Sequence, residues 1–304
     1  PAGADAIAPL ERIAEVPTAA PDLPPRWRVL DAVRPERHVA RRGSEVRRGD
    51  AVVLAGTRLD APRLGALAAF GHAQVSVHRR PVVSLLPTGD EIVPVDRVPG
   101  PGEVRDSNRH ALAGVLQSAG ATVLHGGPVG DRREDLRTAL REAQATADVI
   151  VLSGGVSTGD YDLVAPVLAE LGAEALVHRI AIKPGKPFLF AIDGLRLVFG
   201  LPGNPVSSTV CAVLFVLPAL VALQGGRDVG WRLLQVPAAD PVPAGGPRTE
   251  VVPVAFVASA GGTAARVVRT AGSADLAHFA AADAWALRPA HAPEVLAGSP
   301  LTLL

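Results

Sequence analysis

From Asp148 to Ser208 the chain reads DVIVLSGGVSTGDYD and, after an intervening stretch, IAIKPGKPFLFAIDGLRLVFGLPGNPVSS. Three turns rich in Gly and Pro each follow a short run of Val, Ile, Leu or Phe, the pattern of strands that end along one edge of a sheet. In open α/β sheets that edge is where ligands bind. The texture from Pro81 onward agrees. PVVSLL leads into the turn Pro87 to Glu91, and RDSNRHALAGVLQSAG reads as a helix with Asp106 or Ser107 as N-cap and Gly120 as its stop. A strand over Thr122 to His125 follows, then a helix begun at Asp131, the strand DVIVLSGG, and a helix from about Tyr161 to Leu171. This succession predicts a three-layer α/β domain with a mainly parallel sheet, because parallel neighbours need helical crossovers.

The flanks differ. Residues 1–42 alternate short apolar pieces with Pro clusters and read as a partial β-rich lobe. Residues 43–80 link it onward through a strand at Ala51 to Leu54 and a helix near Pro62 to Phe70, stopped by Gly71. The α/β domain is assigned to residues 81–226. Residues 227–304 read as a smaller β-rich, barrel-like domain, with a hairpin around Ala260-Gly261-Gly262, a short helix in SADLAHFAAAD and a last strand PLTLL. The chain has no methionine and opens as if in mid-domain, which reads as a fragment or a processed chain.

Composition narrows the partners. With 30 basic and 30 acidic residues there is no charge excess to attract nucleic acid. The apolar run Val206 to Leu223 is broken by Ser207, Ser208, Thr209 and Pro218 and reads as a buried helix, not a membrane span. The single cysteine, Cys211, lies inside that run, so it reads as a core residue of a protein in a reducing, cytoplasmic setting.

Two lysines occur in the whole chain, Lys183 and Lys186, both in one KPGKP turn against a background of arginine. Two compact ammonium groups at one tight turn read as point charges for a small anion, the alternative being ordinary surface charge. The turns Ser153-Gly154-Gly155 and Leu201-Pro202-Gly203-Asn204-Pro205 can aim backbone N–H groups at an anion, with Asn204 capping and Pro205 at the first helical position. Asp90, Glu91, Asp106, Asp160 and Asp162 lie beside these turns. Acids next to an anion site call for a divalent cation, so Mg²⁺ is expected, although Asp106 reads equally as a helix cap. No nucleophile motif occurs, the eight histidines lack metal-ligand spacing, and His178 reads as a strand residue at the sheet edge.

PTGDEI, RDSNRHALAGVL, DVIVLSGGVSTGDYD, HRIAIKPGKPF and FGLPGNPVSS, in this order and spacing, resemble the molybdopterin molybdotransferase family, that of MoeA and the gephyrin E domain. The resemblance implies insertion of molybdate into adenylylated molybdopterin with release of AMP, dependent on Mg²⁺. It implies a homodimer, with a molybdopterin adenylyltransferase as a possible partner. By the same resemblance Glu91 and Asp162 hold the metal. Lys183, Lys186 and Ser207 meet molybdate, with Asp106 and Asp162 in the catalytic set. Ser153, Gly154, Gly155 and Asn204 cradle the pterin nucleotide, and Thr88, Gly89, Asp90, Gly185, Pro202, Gly203 and Pro205 join them. Ser273 approaches the pocket from the C-terminal domain. The family's N-terminal helical region and its Asp-Gly-Tyr/Phe-Ala segment are absent, and Thr158 stands where a small apolar residue is usual. A non-catalytic scaffold and a molybdopterin adenylyltransferase are the alternative readings. The second lacks flanking lobes such as residues 1–80 and 227–304.

Overall fold

The structure, a computed structural model, describes residues 3–17, 24–156 and 163–304. It divides into two compact units, Pro1–Leu54 with Leu59–Ala73, and Ala55–Arg58 with Gln74–Leu304.

In the first unit β1 (Ile13–Val16) and β2 (Arg26–Val29) pair antiparallel. Helix α1 (Ala61–Ala69) starts on Asp60, whose carboxylate accepts from the Arg63 N–H at 3.2 Å. Pro62 occupies its first turn and Gly71 follows it in the left-handed region at φ +84°. The strand expected at Ala51 to Leu54 is absent; these residues form bends and coil. None of this unit's described residues is buried, so an isolated apolar run there finds neither a pairing strand nor a core.

The second unit holds the layered domain. Its elements run β3 (Val82–Pro87), β4 (Ile92–Val93), β5 (Val104–Arg105), α2 (Ser107–Ser118), β6 (Thr122–His125), α3 (Arg133–Thr146), β7 (Val149–Ser153) and α4 (Val164–Glu170). Then come β8 (Glu174–His178), β9 (Ile182–Lys183), β10 (Leu189–Asp193), β11 (Arg196–Leu201), α5 (Pro205–Cys211) and α6 (Leu217–Leu223). The main sheet has the order β6-β3-β7-β11-β10-β8, and among these strands only β10 runs against the others. Burial on both faces accounts for the uninterrupted apolar runs. Along β7, Val149 and Val151 face α2, α5 and α6, whereas Ile150 and Leu152 face α3 and α4.

One helix start differs from expectation by a small margin. α3 begins at Arg133, two residues beyond Asp131, because Asp131 is engaged with the turn after β3. The run Val206 to Leu223 is helical as expected, part of one continuous helix Pro205–Leu223 that passes through Pro218. A π-helical segment over Ala212–Val216 widens it just before Pro218, which relieves the clash of the proline ring with the preceding turn. Its buried side chains, among them Val206, Val210, Leu214 and Leu220, pack into the core.

The C-terminal strands β12 (Leu234–Pro237), β13 (Thr249–Ser259), β14 (Gly262–Val267), β15 (Ala284–Arg288) and β16 (Pro300–Leu303) form a second sheet of order β12-β16-β15-β13-β14. A bridge between Ala238 and Ala265 brings its two ends together, which gives the barrel-like closure. Helix α7 (Leu276–Ala280) precedes β15. Ile182, Val206, Val210, Val251 and Phe279 form a shared cluster that fastens this sheet to α5.

Two features of the main sheet make testable points. A Cβ at Gly200 would lie 2.6 Å from Val156 Cγ1 and 3.1 Å from Leu189 Cβ. Gly200→Ala is therefore expected to lower stability by about 1–3 kcal/mol through overpacking, read by urea unfolding. At the start of β7, Asp148 accepts from both Arg79 nitrogens at 2.5 Å and from the Val82 N–H at 2.8 Å. Arg79, helped by Val82, holds this carboxyl below its usual value of 3.8. A depressed folded-state value contributes stability above the unfolded value that is lost as pH falls through the folded one. Asp148→Asn is expected to cost about 1 kcal/mol at neutral pH, with the difference from wild type shrinking on acidification below about pH 4.

Candidate functional site

Because β3, β7 and β11 run parallel and in register, Pro87, Ser153 and Leu201 stand side by side at their C-terminal ends. The turns after Pro87, Ser153 and Leu201 leave from this row on one edge; the Ser153 and Pro202 turns are where the sequence implies, whereas the lysine turn of the same stretch is not on this edge. The Thr88 N–H donates to the Ser153 carbonyl at 2.9 Å, and the Gly154 N–H donates to the Leu201 carbonyl at 3.0 Å. Gly154 has φ +105°, and a Cβ on it would meet the Thr88 carbonyl oxygen at 2.6 Å, so only glycine lets the turns nest this closely.

Asn108, in the first turn of α2, fastens two of the turns with one side chain. Its Nδ2 donates to Ser153 Oγ and to the Gly203 carbonyl, each at 2.7 Å. Its Oδ1 is buried with no hydrogen-bond partner among the described residues. The sequence reading missed this residue. The signal available was its place two residues after the Asp106 cap in RDSNR, in the first helical turn.

A cleft of about 1460 Å³ opens over these turns, between them and the C-terminal sheet. It exceeds the roughly 300–1,000 Å³ of most small-molecule sites and has room for a nucleotide-sized ligand. Thr88, Gly89, Glu91, Asp106, Ser153, Gly154, Gly155, Lys183, Gly185, Lys186, Pro202, Gly203, Asn204, Pro205, Ser207 and Ser273 all line it. Arg248 and Arg269 line it too; in an arginine-rich chain nothing in composition singles them out.

Several expectations change in detail. Asp90 is not in the lining: its Oδ1 accepts from the Asp131 N–H at 3.1 Å, and its own N–H faces Asp131 Oδ2 at 3.4 Å, so it ties two loops together. Asp106 is 2 % exposed and caps α2, its Oδ1 accepting from the Arg109 N–H at 3.0 Å while Oδ2 lies 3.3 Å from the Arg109 guanidinium. Asp162, Asp160 and Thr158 lie outside the described residues. Asn204 occupies the N-cap position of α5 but its side chain makes no cap. Nδ2 donates instead to Ser273 Oγ at 2.8 Å, and the Val206 N–H donates to the Ser273 carbonyl at 3.2 Å. Ser273 thus takes over part of the capping from the C-terminal sheet's side.

The lysine turn differs most. Its strand β9 does not belong to the main sheet; it pairs with β13 of the C-terminal sheet. The turn sits in the long connection from β8 to β10, seated on α5 where a Cβ at Gly185 would meet Cys211 Sγ at 2.6 Å. Both lysines are exposed, and they stand in a broad cleft instead of the tight space expected. Burial pushes the Cys211 thiol up to about 12, so it is a packing residue and not a thiolate.

Three family models match along the chain: the MoeA N-terminal region (domain I and II) at residues 1–71, a probable molybdopterin binding domain at 84–222, and the MoeA C-terminal region (domain IV) at 235–304. A molybdopterin molybdenumtransferase of Nostoc is 37% identical over 206 residues, 67% of this chain and 47% of the relative. One of Haemophilus influenzae is 36% identical over 195 residues, 64% of this chain and 48% of the relative. The crystal structure of a molybdopterin biosynthesis MoeA protein from Pyrococcus horikoshii superposes with a TM-score of 0.75 at 29% identity, covering 98% of this chain and 71% of that one. The fold is that of a MoeA-type protein with a probable molybdopterin binding domain. The chain belongs to the MoeA family. It spans about half the length of the sequence relatives named here.

The clamp makes a direct prediction. Asn108→Ala leaves two bonds unmade, at about 1 kcal/mol each. Amide exchange at Gly154, whose N–H donates to the Leu201 carbonyl, is expected to rise by about tenfold, with β8 unaffected. Mass-spectrometric hydrogen exchange checks this.

Proposed function

We propose that this chain carries the catalytic cleft of a molybdopterin molybdotransferase, which takes adenylylated molybdopterin and molybdate and releases AMP as molybdenum joins the pterin. The observation that carries the reading is the gathering of Lys183, Lys186, Glu91 and the three backbone turns around one cleft, in a chain matched by a probable molybdopterin binding domain flanked by MoeA N-terminal and C-terminal regions. A scaffold reading would tolerate their separation and gains no support from this arrangement.

The residues divide the work by chemistry. N–H groups of the Ser153-Gly154-Gly155 and Pro202-Gly203-Asn204 turns suit phosphate oxygens, and Lys183, Lys186 and the Ser207 hydroxyl suit a compact oxyanion. Among the described residues no group of three or more His, Cys, Asp or Glu gathers to hold a metal. Mg²⁺ commonly takes only one or two carboxylates and completes its shell with substrate phosphates and water, and Glu91 in the cleft fits that demand. When bound, the ion would neutralise phosphate charge; Glu91 would hold it while the lysines orient the oxyanion.

The same reading includes a homodimer, a cytoplasmic setting and an adenylyltransferase as the source of the activated pterin. Exposed Trp27 and Leu30, in a unit with no buried described residue, support further association.

Adenylylated molybdopterin, molybdate and Mg²⁺ mixed with the protein are expected to yield AMP, followed by chromatography. Omitting molybdate or chelating the metal should stop it. Lys186→Ala is expected to slow AMP release by about fivefold, a value set by the lysine's exposure. AMP formation at the same rate without protein, or without molybdate, would overturn the reading.

A further inference from the structure

Lys183 and Lys186 share one turn, yet their ammonium groups are in different states. That of Lys186 has no hydrogen bond or ion pair among the described residues, whereas Lys183 Nζ lies 3.3 Å from Glu250 Oε1. The pairing is built into the backbone. β9 runs parallel to β13, and Glu250 is the register partner of Lys183 in that ladder. Side-chain exposure is 60% for Lys183 but 16% for Glu250.

Glu250 has a second cation behind it. Arg288 on β15 is 5% exposed, and its Nη1 lies 3.7 Å from Glu250 Oε2. Its Nη2 donates to the Pro293 carbonyl at 3.1 Å, while its Nε is buried with no partner among the described residues. A buried guanidinium left without a counter-charge is costly, so Arg288 requires Glu250 whether or not Lys183 is present. The carboxylate therefore keeps a partner when Lys183 leaves it. What separates on leaving is only the outer, solvent-screened pair, and such pairs are weak.

We propose that Glu250 is an internal competitor for Lys183, holding the ammonium in the open cleft and handing it to an arriving oxyanion while the carboxylate stays on Arg288. The idea rests on the reading of the cleft as an oxyanion site. Lys186 is then the first contact and Lys183 the second. Capture is reversible because the released Glu250 can reclaim its lysine.

The test uses the chain's own economy of lysine. Trace acetylation followed by mass spectrometry compares Lys183 directly with Lys186, and equilibrium dialysis measures molybdate binding. Glu250→Gln removes the charge; Glu250→Asp keeps it but withdraws the carboxylate by one methylene. Both variants are expected to raise the Lys183 to Lys186 labelling ratio and to tighten molybdate binding by about twofold to fivefold. In a Lys183→Gln background, Glu250→Gln should then change molybdate binding little. Persistence of the full gain in that background, or wild-type behaviour of Glu250→Asp, would show a long-range field in place of a contact and overturn the proposal. An unchanged labelling ratio in both Glu250 variants overturns the pairing itself, whatever the cleft binds. Absence of molybdate binding in wild type and in Glu250→Gln overturns the oxyanion reading and the hand-over together, with the labelling ratio still reporting on the pair.

Discussion

The register of three parallel strands is the constraint on which the rest depends. Pro87, Ser153 and Leu201 form one row across β3, β7 and β11, so the turns that follow begin at the same height and side by side. A slip of one residue in any strand would turn its core side chains to the opposite layer. It would also move a turn out of hydrogen-bonding reach of its neighbour. The alternation of Val149 and Val151 toward one helical layer, with Ile150 and Leu152 toward the other, resists that slip. Core packing and site geometry are thus fixed by the same residues, and Asn108 adds a polar clamp only because the row already brings Ser153 and Gly203 within its reach.

Where local chemistry determined the outcome, the sequence was informative. The strand over Thr122–His125, the helix stop at Gly120, the Asp106 cap and the hairpin of β13 and β14 follow from periodicity and turn residues within a few positions of each element. What escaped depends on distant partners. Asn204 looked like a cap because Asn favours that position, but Ser273, 69 residues further on, competes for its side chain. β9 is two residues long, and no local pattern reveals that it joins a different sheet from its flanking strands. Ala51 to Leu54 has the composition of a strand, yet a strand needs a neighbour, and none is paired with it.

The candidate site divides along the same line. Backbone turns and the two lysines were legible because Gly, Pro and Lys are distinctive in this chain. Arg248 and Arg269 were not, since arginine is the common base here and carries no local mark. Carboxylates proved the least legible class. Asp90, Glu91 and Asp106 lie close in sequence, but Asp90 ties loops together, Asp106 closes a helix end, and Glu91 alone of the three is left to face the cleft without such a duty.

That division carries an electrostatic consequence. On the reading of the cleft as an anion site, unpaired acids in it must be few; Glu91 is open to it, whereas Asp106 and Glu250 are committed to backbone N–H groups or to cations. Asp106 is held by the α2 N-terminus and Arg109, and Glu250 is shared between Lys183 and Arg288. A carboxylate fixed in this way contributes little repulsion beyond its own partners, because its field is offset at close range. The lysines that line it are less committed: Lys186 is unpaired among the described residues and Lys183 shares only an exposed contact. On that reading, attraction for a negative ligand in a chain whose formal charge is zero would arise from which charges the fold ties down and not from how many the sequence contains.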